Sequence, residues 1–202
     1  MILRVVSGRV PEGQLDAVVE AYRRDYVPIA RQTEGLDRFV VAGRPTSDGV
    51  HELAAMTTWT TVEAALAAYA GDLTVVRTLD DRNHGETLTG VDHYEIDEGG
   101  ARHRTGDATT LRLTAGSVAR GHDADIQQEL RRRLPELPPE AIEAYVGRRV
   151  LGADVEIALV TSWSAAPPGV ALDEPLWPSI SNRYDTFRIG VYDILIAGTG
   201  GG

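Results

Sequence analysis

The chain has 202 residues, of which 43% are hydrophobic, and its 30 acidic and 20 basic residues give a net charge of −10. This length allows one large domain or two small ones with cores of their own, and the acidic excess argues against a nucleic acid or an anionic membrane as the partner. The sequence contains no cysteine and no lysine, which excludes disulfides, cysteine-based zinc sites and lysine Schiff bases. Because no apolar run approaches the length of a membrane span and patterned sequence begins at once, we expect a cytoplasmic protein without a signal peptide.

Strands and helices alternate along the first half of the chain. Runs rich in β-branched and aromatic residues predict four strands, at residues 2–10, 36–41, 53–59 and 91–96. Between the first two strands, apolar residues recur at helical spacing: Leu15, Val18, Val19, Tyr22, Tyr26 and Ile29. Thr60 and Glu63 predict a capping box that opens a short Ala-rich helix ending at Tyr69. The order β-α-β-β-α-β is that of a ferredoxin-like unit.

The second half of the sequence repeats the first. Segment 3–13 matches 111–121, segment 51–59 matches 155–163, and the pairs Gly43-Arg44 and Gly147-Arg148 match between them. A fourth match joins 94–96 to 192–194, and the common order of all four indicates a tandem duplication. Four prolines between residues 163 and 192 predict a loop where the second copy would have its second helix.

These patterns predict both the domains and the fold class. We expect a first ferredoxin-like unit at residues 1–98, a polar linker at 99–107 and a second unit with a degenerate second helix at 108–202. A four-stranded sheet with helices on one face needs a partner for its other face. The predicted fold class is therefore α+β, with two βαββαβ units packed sheet to sheet inside one chain.

Segment 57–66, with the sequence TTWTTVEAAL, carries a family resemblance. A strand ending in Trp59, a short polar turn and an Ala-rich helix resemble the antibiotic biosynthesis monooxygenase branch of the dimeric α+β barrel superfamily. Family members typically pair two single-domain chains, so the resemblance implies a pseudo-dimer within this chain, with a homodimer of such chains left open. Some members oxygenate aromatic polyketides without metal or flavin, others bind and degrade haem, and related barrels isomerise lactones.

The haem-degrading members carry a histidine ligand late in the second helix. That place falls near Thr78 here, and the nearest histidine is His84. The aromatic residue that distorts haem in those proteins would fall at Ala68, beside Tyr69. Both departures argue against haem chemistry, which we keep as a second alternative.

The first hypothesis is an oxygenase that acts on a small hydrophobic aromatic ligand without metal or flavin, and therefore with no cofactor. Trp59 and Tyr22 would line the pocket, Tyr26 or His93 would polarise or deprotonate the substrate, and Arg44 would attract an anionic group. The first alternative is a non-catalytic ligand-binding or stress-response barrel.

The same residues also have structural interpretations. Trp59 recurs as Trp163, which favours a core anchor, and aromatic residues on a helix are more often packed than functional. Arg44 and Arg148 are predicted to pair with Glu52 and Glu156. The polar run 80–84 is interpreted as a solvated helix end rather than a metal site.

Overall fold

The computed structural model describes residues 1–74, 85–119, 121–151, 154–165 and 171–201. The strands are β1 (Ile2–Pro11), β2 (Leu36–Pro45), β3 (Val50–Trp59), β4 (Thr87–Glu95), β5 (Ala101–His103), β6 (Thr110–Ala119), β7 (Ala141–Leu151), β8 (Asp154–Trp163) and β9 (Thr186–Thr199). The helices are α1 (Leu15–Ala21), α2 (Val27–Ala30), α3 (Val62–Ala68), α4 (Asp123–Arg133) and α5 (Pro178–Ser181). Two other helical turns are present, a π-helical turn at Tyr22–Tyr26 and a 3₁₀ turn at Leu134–Glu136. None of the helices in these ranges is long and apolar enough to cross a membrane.

Two compact units make up the chain. The first contains Met1–His93 and Tyr192–Gly202, and the second contains Tyr94–Val191. The boundaries between the units therefore fall inside β4 and β9. Each unit contains the order β-α-β-β-α-β, which β5 precedes in the second unit, and each has antiparallel strands with few helices.

In the first unit, the strands lie side by side in the order β4, β1, β3, β2, followed by the end of β9. The β9 residues from Asp193 to Thr199 pair antiparallel with β2. The helices cover one face of this sheet, and side chains from helices and sheet share one buried core. Alternation along β1 places Ile2, Arg4 and Val10 on that helix-facing side.

The first helix departs from the predicted pattern at its C-terminal end. The spacing predicts Ile29 on the buried face, whereas Ala30 is the buried residue and Ile29 is half-exposed. The π-helical turn at Tyr22–Tyr26 adds one residue to the helix, which rotates everything after it by about 100°. Pro28 follows directly, and a proline ring clashes with the carbonyl four residues earlier in a regular α-helix. Tyr22 and Tyr26, at the two ends of this turn, both lie in the core.

Helix α3 begins one residue later than predicted. The N-cap is Thr61, whose hydroxyl accepts a hydrogen bond from the Ala64 amide at 3.1 Å, so the predicted cap at Thr60 is wrong. The Thr60 hydroxyl instead donates to the Gly35 carbonyl at 3.2 Å. Thr60 therefore joins the loop before β2 to the end of β3.

In the second unit, β9 lies next to β6, and β8, β7 and β5 follow in that order. Strand β5 lies inside the predicted linker and pairs antiparallel with β7 between Tyr145 and Glu143. The predicted loop before the last strand contains one short helix, α5. Helices α4 and α5 contribute to a second buried core, which includes Ile126, Leu130 and Ile180.

The two units share the register of their first strand pair. Arg4 lies opposite Thr57 across β1 and β3, and Arg112 lies opposite Thr161 across β6 and β8. The register of the next strand pair, β2 with β3 and β7 with β8, differs between the units by one residue. Strand β7 places Arg149, rather than Arg148, opposite Glu156.

That register decides which ion pairs form. Arg44 pairs with Glu52 as predicted, with Nε 2.7 Å from Oε2. The predicted pair of Arg148 with Glu156 is wrong, because neighbouring side chains on a strand point to opposite faces. Arg148 reaches Asp123 on α4 instead, at 2.8 Å, while Arg149 contacts Glu156 at 2.9 Å.

Candidate active site

The interior of the first unit contains a buried arginine. Arg4 is 2% exposed, its Nε donates to the Leu73 carbonyl at 3.4 Å, and its guanidinium lies 4.0 Å from the centre of the Tyr69 ring. Burial lowers the pKa of Arg4, and the neighbouring Tyr69 and Tyr26 partly oppose that shift. The arginine is thus a cation surrounded by aromatic side chains, which stabilise it through their ring faces and hydroxyls.

Tyr69 connects this arginine to the tryptophan at the end of β3. The rings of Tyr69 and Trp59 meet edge to face, with centroids 5.6 Å apart. Trp59 is fully buried, and its Nε1 donates to the Thr57 hydroxyl at 3.1 Å. Burial raises the pKa of Tyr69, so its phenol stays protonated at neutral pH.

One of a pair of packed tyrosines contacts a buried carboxylate. The Tyr22 hydroxyl donates to Oε1 of Glu86 at 3.0 Å, and neither residue is more than 5% exposed. Glu86 lies over the middle of β1, where the Cγ atom is 3.9 Å from the position that a Cβ on Gly8 would take. Tyr26 packs edge-on against Tyr22 at 5.6 Å.

We call these six residues the aromatic site: Arg4, Tyr22, Tyr26, Trp59, Tyr69 and Glu86. The site combines flat ring surfaces, one cation and one carboxylate–phenol pair in an interior from which water is largely excluded. In this structure the rings pack against one another. In an active site, ring faces of this kind contact a planar ligand, a carboxylate can accept a proton, and a cation stabilises an anion that forms nearby. These are the groups needed to deprotonate an acidic aromatic compound.

Three of the five predicted site residues come together here. Trp59, Tyr22 and Tyr26 belong to the same buried core. Arg44 lies elsewhere, since its partner Glu52 alternates with the core-facing residues of β3, and its guanidinium stacks 4.8 Å from the Tyr192 ring centre. The structure therefore does not bring Arg44 to the aromatic site.

His93 is half-buried near the end of β4. Asp72, in the loop after α3, lies within electrostatic reach of His93. Hydrogen bonds from Thr74 contribute most to lowering the pKa of Asp72, and the charge of His93 adds a smaller contribution. None of the contacts described for the aromatic site involves His93.

Sequence reasoning missed Arg4, Tyr69 and Glu86 as site residues. Arg4 carries a signal that could have found it, because an arginine interrupts an apolar alternation in β1 and recurs as Arg112 in β6. Glu86 carries no comparable signal, since a lone glutamate before a strand is common on protein surfaces.

The second unit repeats part of this arrangement. Arg112 is fully buried and its Nε donates to the Leu172 carbonyl at 2.7 Å, as Arg4 does to Leu73. Nε1 of Trp163 donates to the Thr161 hydroxyl at 2.7 Å, as Trp59 does to Thr57. The repeated tryptophans therefore make the same packing contact in both units.

The residues considered for haem or metal binding, Thr78, His84 and the run 80–84, lie outside the described residues. Within the described ranges, no group of three or more histidine, aspartate and glutamate side chains is arranged to hold a metal ion.

No family model and no curated protein matches the chain. Solved structures match it over almost its whole length. A "putative monooxygenase" of Fusobacterium nucleatum superposes with a TM-score of 0.68 at 12% identity, covering 100% of this chain and 95% of the other. An anthrone oxidase-like protein gives a TM-score of 0.58 at 12% identity, with 98% and 93% covered.

A third structure names the fold. It is an uncharacterised ferredoxin-fold protein of Listeria monocytogenes that is related to antibiotic biosynthesis monooxygenases, with a TM-score of 0.53 at 9% identity and coverage of 96% and 94%. The fold is ferredoxin-like. This confirms the predicted mixed α+β class, and the likeness to monooxygenase-related proteins at such identities concerns the fold alone.

Proposed function

We propose that the protein is an oxygenase that acts on a small, hydrophobic aromatic compound with an acidic C–H or O–H group, without metal or flavin. The observation that carries this proposal is the buried hydrogen bond from Tyr22 to Glu86 among the rings of the aromatic site. It supports the proposal because a carboxylate can accept a proton and the aromatic side chains of the same core suit a planar ring. Similarity of the fold to proteins described as monooxygenases and as anthrone oxidase-like supports the choice of reaction.

The reaction needs no oxidant besides dioxygen. An anthrone that loses a proton from its CH₂ group becomes an electron-rich anion, which reduces O₂ and forms a carbon–oxygen bond. One oxygen atom ends as the new carbonyl and the other leaves as water, so CH₂ and O₂ give C=O and H₂O. In this proposal Glu86 accepts the first proton, directly or through Tyr22, and Arg4 stabilises the anion.

The remaining predicted residues keep their roles as part of the proposal. Trp59 and Tyr22 line the ring-binding surface, and Tyr26 polarises the substrate oxygen from the same core. We keep a proton-accepting role for His93 and an anion-attracting role for Arg44. Neither residue takes part in the contacts described for the aromatic site, so each would act outside that group of residues.

The proposal includes the origin of the two units. The shared register of the first strand pairs and the matching bonds of Arg4 and Arg112 support a tandem duplication. We keep two earlier predictions as part of this proposal. They are the units 1–98 and 108–202 and the fused dimeric α+β barrel that these units are expected to form.

One specific observation favours a second candidate function, a non-catalytic ligand-binding protein. Trp59 and Trp163 both use their Nε1 donor on a threonine of their own strand. Because the proposed site lies in the first unit only, the same hydrogen bond in the second unit serves packing. A purely structural role would explain this hydrogen bond in both units.

Oxygen consumption separates the two candidates. Purified protein is mixed with a panel of anthrones and quinols, with and without a metal chelator, and O₂ uptake is followed with an electrode. The enzyme hypothesis expects uptake above the buffer rate that chelation does not change and that Glu86→Gln lowers at least tenfold. Uptake equal to buffer for every compound would contradict it and favour the ligand-binding alternative.

Trp59→Phe and Trp163→Phe form a matched pair for the same assay. Both change a fully buried tryptophan with one internal hydrogen bond, so both should lose similar stability. Only Trp59→Phe should change the substrate KM or the rate. An equal effect of both variants on turnover would show that the first unit does not hold the site.

A further inference from the structure

An open groove runs between α4 and the segment that contains α5, at the surface of the second unit. We call it the α4–α5 groove, and its volume is about 470 Å³, which lies within the range of small-molecule sites in proteins. Its lining is mostly polar and consists of side chains on α4 and in or just after α5: Asp125, Gln128, Glu129, Arg132, Ser179 and Arg183. Ile180, which is buried, is the apolar member of the lining.

Two of the charged side chains in the groove already neutralise each other. Arg132 donates from Nε to Oε2 of Glu129 at 2.9 Å and from Nη2 to Oε1 at 2.8 Å. This pair lies within α4, at a spacing of three residues, so it forms without any contribution from the other wall of the groove.

The other two charges in the groove are free. Asp125 and Arg183 are exposed, and neither side chain makes a hydrogen bond or an ion pair with any residue that the structure describes. Their charged atoms are therefore more than 4.0 Å apart. A carboxylate and a guanidinium thus lie in one groove with a gap between them, which a ligand that carries both signs of charge could bridge.

We propose that the α4–α5 groove binds a short peptide through its two charged ends. The terminal ammonium group donates hydrogen bonds to the Asp125 carboxylate, and the terminal carboxylate accepts hydrogen bonds from the Arg183 guanidinium. Gln128 and Ser179 hydrogen-bond to the peptide groups between the ends. Both of these side chains are exposed and have no partner in the described ranges of the chain.

The charge of the groove favours this class of ligand. Two carboxylates and two guanidinium groups sum to zero, so the groove has no net charge with which to attract a simple anion or a simple cation. A peptide with free ends is also neutral overall and presents one charge to each free group. A carboxylate suits Arg183 in particular, because a guanidinium can donate two parallel hydrogen bonds to it.

The length of the groove sets the length of the peptide. Asp125 and Arg132 are seven positions apart on α4, which corresponds to about 10 Å along the helix axis. An extended chain spans about 3.3–3.6 Å per residue, so about two or three residues match the groove. A free amino acid would fill only one end of it.

The test titrates the dipeptide alanyl-alanine into the full, isotope-labelled chain and follows the backbone amide signals by NMR. The signals of Gln128, Ser179 and Ile180 should shift saturably, with a Kd on the order of 1 mM, because both ion pairs are exposed to solvent. The N-acetyl derivative lacks the ammonium charge and the C-terminal amide lacks the carboxylate. Each should bind about two- to fivefold more weakly than alanyl-alanine.

Variants assign each end of the peptide to its partner. Asp125→Asn should bind alanyl-alanine about as weakly as the parent binds the N-acetyl derivative, and N-acetylation should then cause no further loss. Arg183→Gln should show the same relation with the C-terminal amide. Because both residues are exposed and unpaired within the described residues, both variants should fold like the parent.

Two substitutions in the first unit serve as matched controls. Asp16 is exposed in the first turn of α1, as Asp125 is in the first turn of α4. Arg31, at the end of α2, is exposed like Arg183. Asp16→Asn and Arg31→Gln make the same changes of charge away from the groove and should bind alanyl-alanine like the parent.

Three outcomes would overturn the proposal. Equal binding of alanyl-alanine and its two derivatives would mean that the charged ends are not recognised. Unchanged binding in both Asp125→Asn and Arg183→Gln would place the peptide elsewhere on the chain. The absence of a saturable shift at concentrations well above the expected Kd would show that the groove holds only solvent.

The proposal does not rest on the proposed function, because the groove lies in the second unit and the aromatic site in the first. Its readout is binding rather than turnover. A failure of the oxygen-uptake assay would therefore leave the titration valid, and a failure of the titration would leave the oxygen measurements valid.

Discussion

Buried charged residues in this chain are stabilised in different ways, and each way has different consequences. Arg4 is covered by a tyrosine ring, and Glu156 is surrounded by two arginines and a tyrosine hydroxyl. Among the described residues, Arg112 donates to main-chain carbonyls only. Removing a buried group whose partners are charged leaves those partners unbalanced, which is why such substitutions are costly. Glu156 offers the clearest case for a measurement of stability.

Glu156→Gln is predicted to destabilise the protein in a pH-dependent way. Burial raises the pKa of Glu156, but hydrogen bonds from Tyr94 and Arg188 and the charges of Arg149 and Arg188 outweigh it, so the pKa lies below its ordinary value of 4.5. The carboxylate therefore contributes stability above pH 4.5, and this contribution is lost as the pH falls through the folded-state pKa.

We expect Glu156→Gln to cost about 2 kcal/mol at pH 7, less than a fully buried pair because Arg188 is half-exposed. The difference from the parent should shrink as the pH is lowered from 6 to 3. Urea unfolding of both proteins at several pH values measures it. A difference that stays constant down to pH 3 would show that the charge of Glu156 contributes nothing to stability.

Gly116 and Gly8 give a matched pair of substitutions at corresponding positions of β6 and β1. A Cβ on Gly116 would lie 2.3 Å from Cδ1 of Tyr184 and 2.7 Å from the Thr186 carbonyl oxygen. A Cβ on Gly8 would meet Leu88 and the Thr87 carbonyl at 3.4 Å, which is ordinary contact.

Gly116→Ala should therefore destabilise the protein by about 1–3 kcal/mol through overpacking, and Gly8→Ala by less than about 1 kcal/mol. Thermal and urea unfolding of the two variants measures the difference. Equal losses for both would mean that the Tyr184 ring moves aside without strain.

At the scale of elements, the sequence pattern predicts the regular strands well and the local irregularities poorly. A two-residue hydrophobic period and runs of β-branched residues predict β1, β2 and β3, because the apolar side chains of these strands form the buried face of the sheet. Strand β5 could not be found that way, since three residues of mixed polarity become a strand only through pairing with β7. The π-helical turn is also invisible to a 3.6-residue period, which assigned Ile29 to the core instead of Ala30.

The cap of α3 leads to a prediction at this scale. Thr61→Ala removes the side-chain oxygen that accepts from the Ala64 amide, and the loss of such a cap typically costs about 1 kcal/mol. Thr61→Ser keeps that oxygen and should remain within about 0.3 kcal/mol of the parent. Urea unfolding of the two variants distinguishes them. A serine variant as unstable as the alanine variant would mean that the methyl group, rather than the cap, stabilises this position.

For the whole molecule, the fold class follows from the sequence more readily than the site does. The β-α-β-β-α-β order needs only local patterns, and it is found in both units. The aromatic site depends on Glu86 meeting Tyr22 and on Tyr69 covering Arg4, which are contacts between residues more than 60 positions apart in the chain. Such contacts depend on packing, which a single sequence does not reveal. Arg44 shows the same limit, because alternation along each strand does not tell whether Arg44 and Trp59 lie on the same face of the sheet.

The division of β9 between the units predicts how the chain responds to being cut. The first unit includes Tyr192–Gly202, whose residues from Asp193 to Thr199 pair with β2 and whose Ile196 is buried in the first core. A fragment of residues 1–107 therefore lacks a strand beside β2, and it exposes an unpaired edge and part of its core. We expect this fragment alone to be poorly folded, with no cooperative thermal transition.

Adding a fragment of residues 108–202 supplies the missing strand. We expect the two fragments to associate at equal concentration and to regain a cooperative transition whose midpoint rises with concentration, because association is then part of folding. Circular dichroism melts at two concentrations measure this. A matched fragment that ends at residue 191 lacks the β2 partner and should not restore the transition. Recovery of folding with that shorter fragment, or a cooperative melt of residues 1–107 alone, would show that the first unit is complete without the end of β9.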